Sequence, residues 1–314
     1  MRAPESGTEV FKPLSETGTG ASRTVDAGFP VDTFFIKDRN GLTGPTAGGN
    51  VFYDRLRGNS NVLQTQSTAA EAVSATYTAL FNSVQNGVVL SDTWSSYGYR
   101  EYCFRRAPNF FDVVAYTGDG TAGRTVPHNL GVAPEMMIIK GRNYTTDWAA
   151  YHSAIGNTKY LIPNTTAAAA TGSLWWNNTS PTADIFTLGN SSRINNTSSN
   201  TYIAYLFATL AGVSKVGSYT GTGTHDDHVI DCGFTSGARF VLLKRTDDVS
   251  DWFVWDSARG ITTGADPRLS LNTTAAEYNG LDDIRPHPSG FIAANPNGSD
   301  VNALNSQWIF YAIA

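Results

Sequence analysis

Three groups of side chains have the types and spacing to do chemistry. Trp175-Trp176-Asn177-Asn178 puts two aromatics beside two amides. Exposed, they would stack on the apolar C–H face of a sugar ring and bond its hydroxyl rim; the plainer alternative is one indole in a core and one at a domain contact. His225-Asp226-Asp227-His228 has metal-ligating types. Neighbours on an extended chain point to opposite faces, however, so four ligands do not converge from one short run, and we expect no metal there. Asp54…Arg57-Gly58 recurs as Asp256…Arg259-Gly260, with His152…Ile155-Gly156 at the matching place between them. An Asp and an Arg three residues apart could grip a ligand carboxylate or a sugar, but a local ion pair that pins a turn explains them as well.

Catalytic signals are thin. A glycosidase needs two carboxylates across a cleft, and a triad needs Ser, His and Asp within reach. The sequence has no GxSxG elbow, no HExxH and no phosphate-binding glycine loop. TGTG and TGDG lack the following Lys and a following helix, so they read as turns. We expect no enzyme and no cofactor.

The elements that must position these residues are written three times. ETGTGASRTVDAGFPVDTFFIK (16–37), YTGDGTAGRTVPHNLGVAPEMMIIK (116–140) and YTGTGTHDDHVIDCGFTSGARFVLLK (219–244) are one pattern. Thr17, Thr117 and Thr220 open it at spacings of 100 and 103, and Lys37, Lys140 and Lys244 close it at 103 and 104. A unit of about a hundred residues is a domain, not a solenoid repeat. Charged residues make up only 16% of the chain, and short apolar runs alternate with Gly, Thr, Asn and Ser clusters, which points to an all-β chain rich in turns. We therefore expect a β-sandwich of jelly-roll or lectin-like type in each of 15–113, 114–215 and 216–314, preceded by an N-terminal arm over 1–14. MMII, VLL and YIAYLF are apolar on consecutive residues and should be covered on both faces. WAAYH and WFVWD end on a polar residue and read as strands running out to the rim. Short linkers allow either a linear string or a compact pseudo-threefold cluster.

A net charge of −5 leaves no basic footprint for nucleic acid. No run approaches the roughly 20 apolar residues that a membrane span needs. Neither apolar length nor flanks suggest a signal peptide at the N-terminus. Asn164-Thr165-Thr166 and Asn272-Thr273-Thr274 therefore read as turns rather than glycosylation sites. Cys103 falls where the other copies have Leu206 and Ala312, and Cys232 has no counterpart, so neither reads as half of a disulfide.

The strings YTGDGTAGRTVPHNLGVAPEMMIIKGR, TKYLIPNTTAAAATGSLWWNNTSPTADIFTLG, NTYIAYLFATLAGVSKVGSYTGTGT and FVLLKRTDDVSDWFVWDSARGI resemble the repeated domain of tail fibre and other virion structural proteins of tailed bacteriophages, notably marine ones. The likeness runs from about Ser15 to the C-terminus. It implies a virion component, namely a fibre, spike, knob or head-decoration subunit, with other virion proteins as partners and no catalytic residues to carry over. Fibres and decorations are symmetric oligomers, so the expectation is a homotrimer located in the virion. A module that binds host surface polysaccharide through Trp175 and Trp176 is the second reading, and a polysaccharide depolymerase the third.

Overall fold

The structure, a computed structural model, describes residues 2–41, 50–74, 79–81, 84–91, 95–196, 198–225, 228–295 and 300–314. The chain is all-β, in antiparallel sheets. Its first third forms β1 (Phe11–Thr19), β2 (Arg23–Asp26), β3 (Thr33–Asp38), β4 (Val51–Asp54), β5 (Asn61–Gln64), β6 (Ala72–Val73), β7 (Ala79–Leu80), β8 (Gly87–Leu90) and β9 (Ser95–Phe104). These pair as a large sheet, β1-β9-β3-β4-β5-β6, and a small one, β2-β8-β7.

Next come β10 (Phe111–Thr117), β11 (Arg124–Pro127), β12 (Met136–Gly141), β13 (Trp148–His152), β14 (Lys159–Tyr160), β15 (Ala170–Thr171), the single-turn helix α1 (Ser173–Trp176), β16 (Ile185–Leu188) and β17 (Thr201–Phe207). The large sheet here is β10-β17-β12-β13, beside the ribbons β11-β16 and β14-β15. The last third forms β18 (Ser214–Thr220), β19 (His228–Asp231), β20 (Phe240–Arg245), β21 (Trp252–Asp256), β22 (Leu269–Ser270), β23 (Ile284–His287), β24 (Gly290–Ala293) and β25 (Gln307–Ile313). Its sheets are β18-β25-β20-β21-β22 and β19-β24-β23. All three large sheets place the strand that closes the segment beside the one that opens it.

Each large sheet is buried on both faces, and the two-residue period of a strand divides its side chains between two cores. On β17, Ile203, Tyr205 and Phe207 enter a central cluster, while Tyr202, Ala204 and Leu206 enter a local one with Phe186 and Leu188. On β25, Ile309, Tyr311 and Ile313 face the centre, and Trp308, Phe310 and Ala312 face inward to the third segment's own core. On β9, Tyr102 and Phe104 face the centre and Cys103 the first segment's core. The three large sheets therefore share one central core and each has a private core behind it.

Three expectations are corrected. The strands of WAAYH and WFVWD do not run out to a rim: every residue of β13 and β21 is buried, His152 and Asp256 included. Their alternate residues, Trp148 with Ala150 and Trp252 with Val254, lie in the central core. The arm is shorter than 1–14, because Val10 and Phe11 are central-core residues and β1 begins at Phe11. Likewise β10 and β18 begin at Phe111 and Ser214, a few residues before the expected joints.

Candidate functional site

The polar residues singled out above meet at the seams between the large sheets. At the seam of the first and second sheets, Asp54 ends β4 and the chain turns through Gly58, whose φ of 91° suits glycine. The Arg57 guanidinium folds back onto the Asp54 carboxylate, and the Arg57 N–H donates to Asp54 Oδ1 at 3.0 Å. Tyr205, arriving on β17 of the second sheet, donates its hydroxyl to Asp54 Oδ2 at 2.8 Å. Arg57 also reaches Glu71 at 3.2 Å, and Glu71 takes a two-pronged grip from Arg142 of the second sheet at 3.0 and 2.9 Å. Burial works against the Arg57 charge, but the oxygens of Tyr205, Asp54 and Glu71 outweigh it and hold the guanidinium above its ordinary range.

The same network is rebuilt where the third sheet meets the first. Tyr102 donates to Asp256 Oδ2 at 2.8 Å, and Arg259 Nε binds that oxygen at 2.7 Å. Glu277 lies 3.5 Å from Arg259 and accepts from Arg39 Nε of the first sheet at 2.9 Å. Burial, then the neighbouring Asp256 carboxylate, drives the Tyr102 hydroxyl well above its ordinary pKa, so it stays a donor.

The seam of the second and third sheets has the same backbone frame with the charges removed. Ala169 N–H donates to Thr246 O at 2.9 Å, as Glu71 donates to Arg142 O and Glu277 to Arg39 O. Thus Ala169 and Thr246 replace Glu and Arg, while His152 and Ile155 replace Asp and Arg. The tyrosine is kept, but the Tyr311 hydroxyl forms no well-made hydrogen bond. It lines a small gap with His152. His152 accepts the Ala154 N–H at Nδ1 (3.2 Å), which leaves Nε2 to carry the proton toward Phe310 O at 3.4 Å. Burial pulls its pKa down to about 4, so the ring is neutral.

The three lysines that close the repeated pattern cross the same seams in the same sense. Lys37 Nζ donates to Thr273 O at 2.7 Å, Lys140 Nζ to Thr68 O at 3.1 Å, and Lys244 Nζ to Thr166 O at 2.9 Å. Burial lowers each to about 8. Their ammonium groups, wholly covered, tie one sheet's loop to the next rather than face a substrate.

The remaining candidates are brought together less. Trp175 and Trp176 are 5% and 0% exposed, both in the second segment's core, so they form no stacking platform for a sugar. Trp176 Nε1 donates to Lys159 O at 2.9 Å, and Trp175 stacks on Tyr160 with centroids 3.9 Å apart. Asn177 and Asn178 are exposed and close the α1 turn at φ of 52° and 50°. Asp226 and Asp227 lie outside the described residues, as do residues 42–49 of the long first loop. Of the flanking histidines, His228 pairs at Nδ1 with Asn302 Oδ1 at 2.8 Å. Among the described residues no group of three or more His, Cys, Asp or Glu is placed to hold a metal ion. Asn164 and Asn272 each accept the first N–H of β13 or β21, from Trp148 at 2.8 Å and Trp252 at 2.9 Å. The thiols of Cys103 and Cys232 are free and buried in different cores.

Sequence reasoning passed over Tyr102, Tyr205 and Tyr311 as core residues. The signal was there: one Tyr recurs at the same place in YREYCF, YIAYLF and WIFYAI. It also passed over Asp266 and Asp283, a buried carboxyl pair. Asp266 accepts the Asp283 N–H at 2.7 Å, and burial followed by the Asp283 charge raises its pKa to about 7. Its oxygens are used on the backbone, which makes it a pin for the loop before β23.

A family described only as a domain of unknown function, DUF7483, matches residues 107–314. The chain belongs to the DUF7483 family. No curated protein matches it. The DUF7483 match begins at Ala107, in the turn leading into β10, and takes in the second and third large sheets. The first sheet lies outside the match, yet both charged seams depend on it.

Proposed function

We propose that this DUF7483 chain is a non-enzymatic structural protein of a tailed-bacteriophage virion, a tail fibre, spike, knob or decoration subunit displayed on the particle and touching the host surface. In this reading it comprises three tandem β-sandwich repeats of about a hundred residues, of jelly-roll type. The observation that carries it is the central aromatic core to which all three large sheets contribute, Tyr102, Phe207 and Phe240 among them. With two of its seams closed by buried ion pairs, that core joins the three large sheets into one body, and among the described residues none of those sheets stands apart from it. Among the described residues, the two Asp–Arg pairs and the three repeated lysines are spent on holding sheet to sheet. The resemblance to phage fibre domains supplies the setting, and a homotrimer built with other virion proteins completes the proposal.

The saccharide-binding alternative has lost its stacking surface, because both indoles are core. Immunogold electron microscopy of intact particles, with antibody raised against this chain, tests the leading reading. Label at tail or fibre tips places it in host attachment, and label over the capsid makes it a decoration subunit. Particles that carry no label, from a lysate in which the protein is present, overturn it.

A further inference from the structure

The third segment is open along one side. β18 and β19 are end strands of its two sheets, and between them runs a groove of ≈ 340 Å³. The other two segments fill the matching place. The residues before Tyr102, Tyr205 and Tyr311, namely Glu101, Ala204 and Phe310, pair with Leu14 on β1, Val114 on β10 and Gly217 on β18. Leu14 and Val114 pack against the private cores of their segments. Gly217 brings no side chain, and the Phe310 ring lies so close that a Cβ there would stand 2.5 Å from it. The lysine two residues earlier differs as well. Lys12 Nζ crosses from β1 to donate to Asp26 O of β2 at 2.8 Å. Lys215 and Asp231 hold the matching places on β18 and β19. Lys215, however, makes no hydrogen bond or ion pair among the described residues.

The groups left over set the chemistry. Asn302 Oδ1 already takes the Thr222 N–H at 2.9 Å, so His228 Nδ1, 2.8 Å away, is a donor to it, and Nε2 of the neutral ring is left to accept. Asp231 spends one carboxylate oxygen on the Gly233 N–H at 2.8 Å. The lining therefore sets a cationic donor, Lys215, and two acceptors, His228 and Asp231, beside the apolar Phe310 and Val229. A full anion would meet the Asp231 charge, and a full cation the Lys215 charge. A hydroxyl donates and accepts, so it suits all three. A sugar ring adds apolar C–H faces for the aromatic wall. Ligand pockets run from about 300 to 1,000 Å³, so this groove takes a single ring rather than a chain. We propose that the groove between β18 and β19 binds one neutral pyranose unit of a saccharide, with Lys215, His228 and Asp231 bonding its hydroxyls. The site owes nothing to Trp175 and Trp176, which lie in the second segment's core. It deepens the host-contact reading and rests on it for the source of the sugar.

Saturation-transfer difference NMR on the intact chain tests this, with the methyl glycosides of glucose, galactose and mannose as probes. At least one should take up signal saturably. Lys215→Met should weaken that binding about ten-fold or more, the loss of one charge-assisted hydrogen bond. Gly217→Val, which supplies the side chain that Val114 gives the second segment, should abolish it. Lys12→Met, in the first segment, should leave it unchanged. Should Gly217→Val not fold, Lys215→Met, at a half-buried position, still decides. No transfer to any of the three glycosides, binding that Lys215→Met leaves intact, or equal losses in Lys12→Met and Lys215→Met overturns the proposal. The particle labelling stands or falls separately, because this test uses the isolated chain.

Discussion

Tyr205, Tyr102 and Tyr311 occupy equivalent places on β17, β9 and β25, but only two of them find a carboxylate across the seam. A hydrogen bond to a charged partner contributes about 1.5–3 kcal/mol net, and its loss leaves a buried oxygen short of a donor. Tyr205→Phe and Tyr102→Phe should therefore each lower the unfolding free energy by about that much. Tyr311→Phe removes a hydroxyl that makes no well-formed bond and should be neutral or slightly stabilising. Urea denaturation of the three variants ranks them, and equal losses in all three would refute the assignment. His152, opposite Tyr311, gives a pH signature. Its pKa is about 4 when folded against an ordinary 6.5, so the unfolded chain binds the proton first as pH falls. Stability linked to this ring is complete above pH 6.5 and drains away toward pH 4, by about 3 kcal/mol over the full range. Subtracting the pH profile of His152→Gln from that of the wild type should isolate that slope, and parallel profiles would contradict it.

At the scale of the element, the strands were legible because a short run apolar on every residue and bounded by turn residues fits a strand with two covered faces; MMII and YIAYLF became β12 and β17, split residue by residue between two cores. WAAYH and WFVWD misled because a terminal His or Asp signals solvent unless a distant partner covers it. Those partners come from across the seams: Tyr102 is 154 residues from Asp256, and no local pattern joins them. The tryptophan pair misled for a different reason. Backbone can approach closely at Gly189, where a Cβ would lie 2.2 Å from Leu174 O, so α1 sinks until both indoles are covered. The same device closes the small sheets. A Cβ on Gly87 would stand 1.9 Å from Val25 O, and one on Gly290 2.2 Å from Ile230 O, both across a strand pair. Backbone must shift to admit either, so Gly87→Ala and Gly290→Ala should cost about 2 kcal/mol or more. Thermal melts within a degree of wild type for both would show that the strand pairs are looser than the structure has them.

For the whole molecule, the all-β class was readable from the short apolar runs between turn clusters, whereas the shared core was not, since it depends on how short linkers let three sheets close on one another. The N-terminal strand is part of that closure. Arg239 donates to Phe11 O at 3.1 Å and to Ala314 O at 2.8 Å, binding the start of β1 to the end of the third segment. The family match over 107–314 nevertheless draws a boundary through this body. Cutting there would strip Phe11, Phe35, Tyr102 and Phe104 from the central cluster. It would also leave Tyr205 without Asp54, Asp256 without Tyr102, and Glu277 without Arg39. An apolar face of that size drives association, and carboxylates deprived of their partners weaken what is left. The most direct measurement is to produce residues 107–314 alone and examine them by light scattering and near-ultraviolet circular dichroism beside the full chain. One body closed around a shared central core predicts aggregation or self-association and loss of the aromatic signal, with recovery when residues 1–106 are supplied in trans. A monodisperse monomer with the full chain's aromatic signal and melting temperature would contradict it.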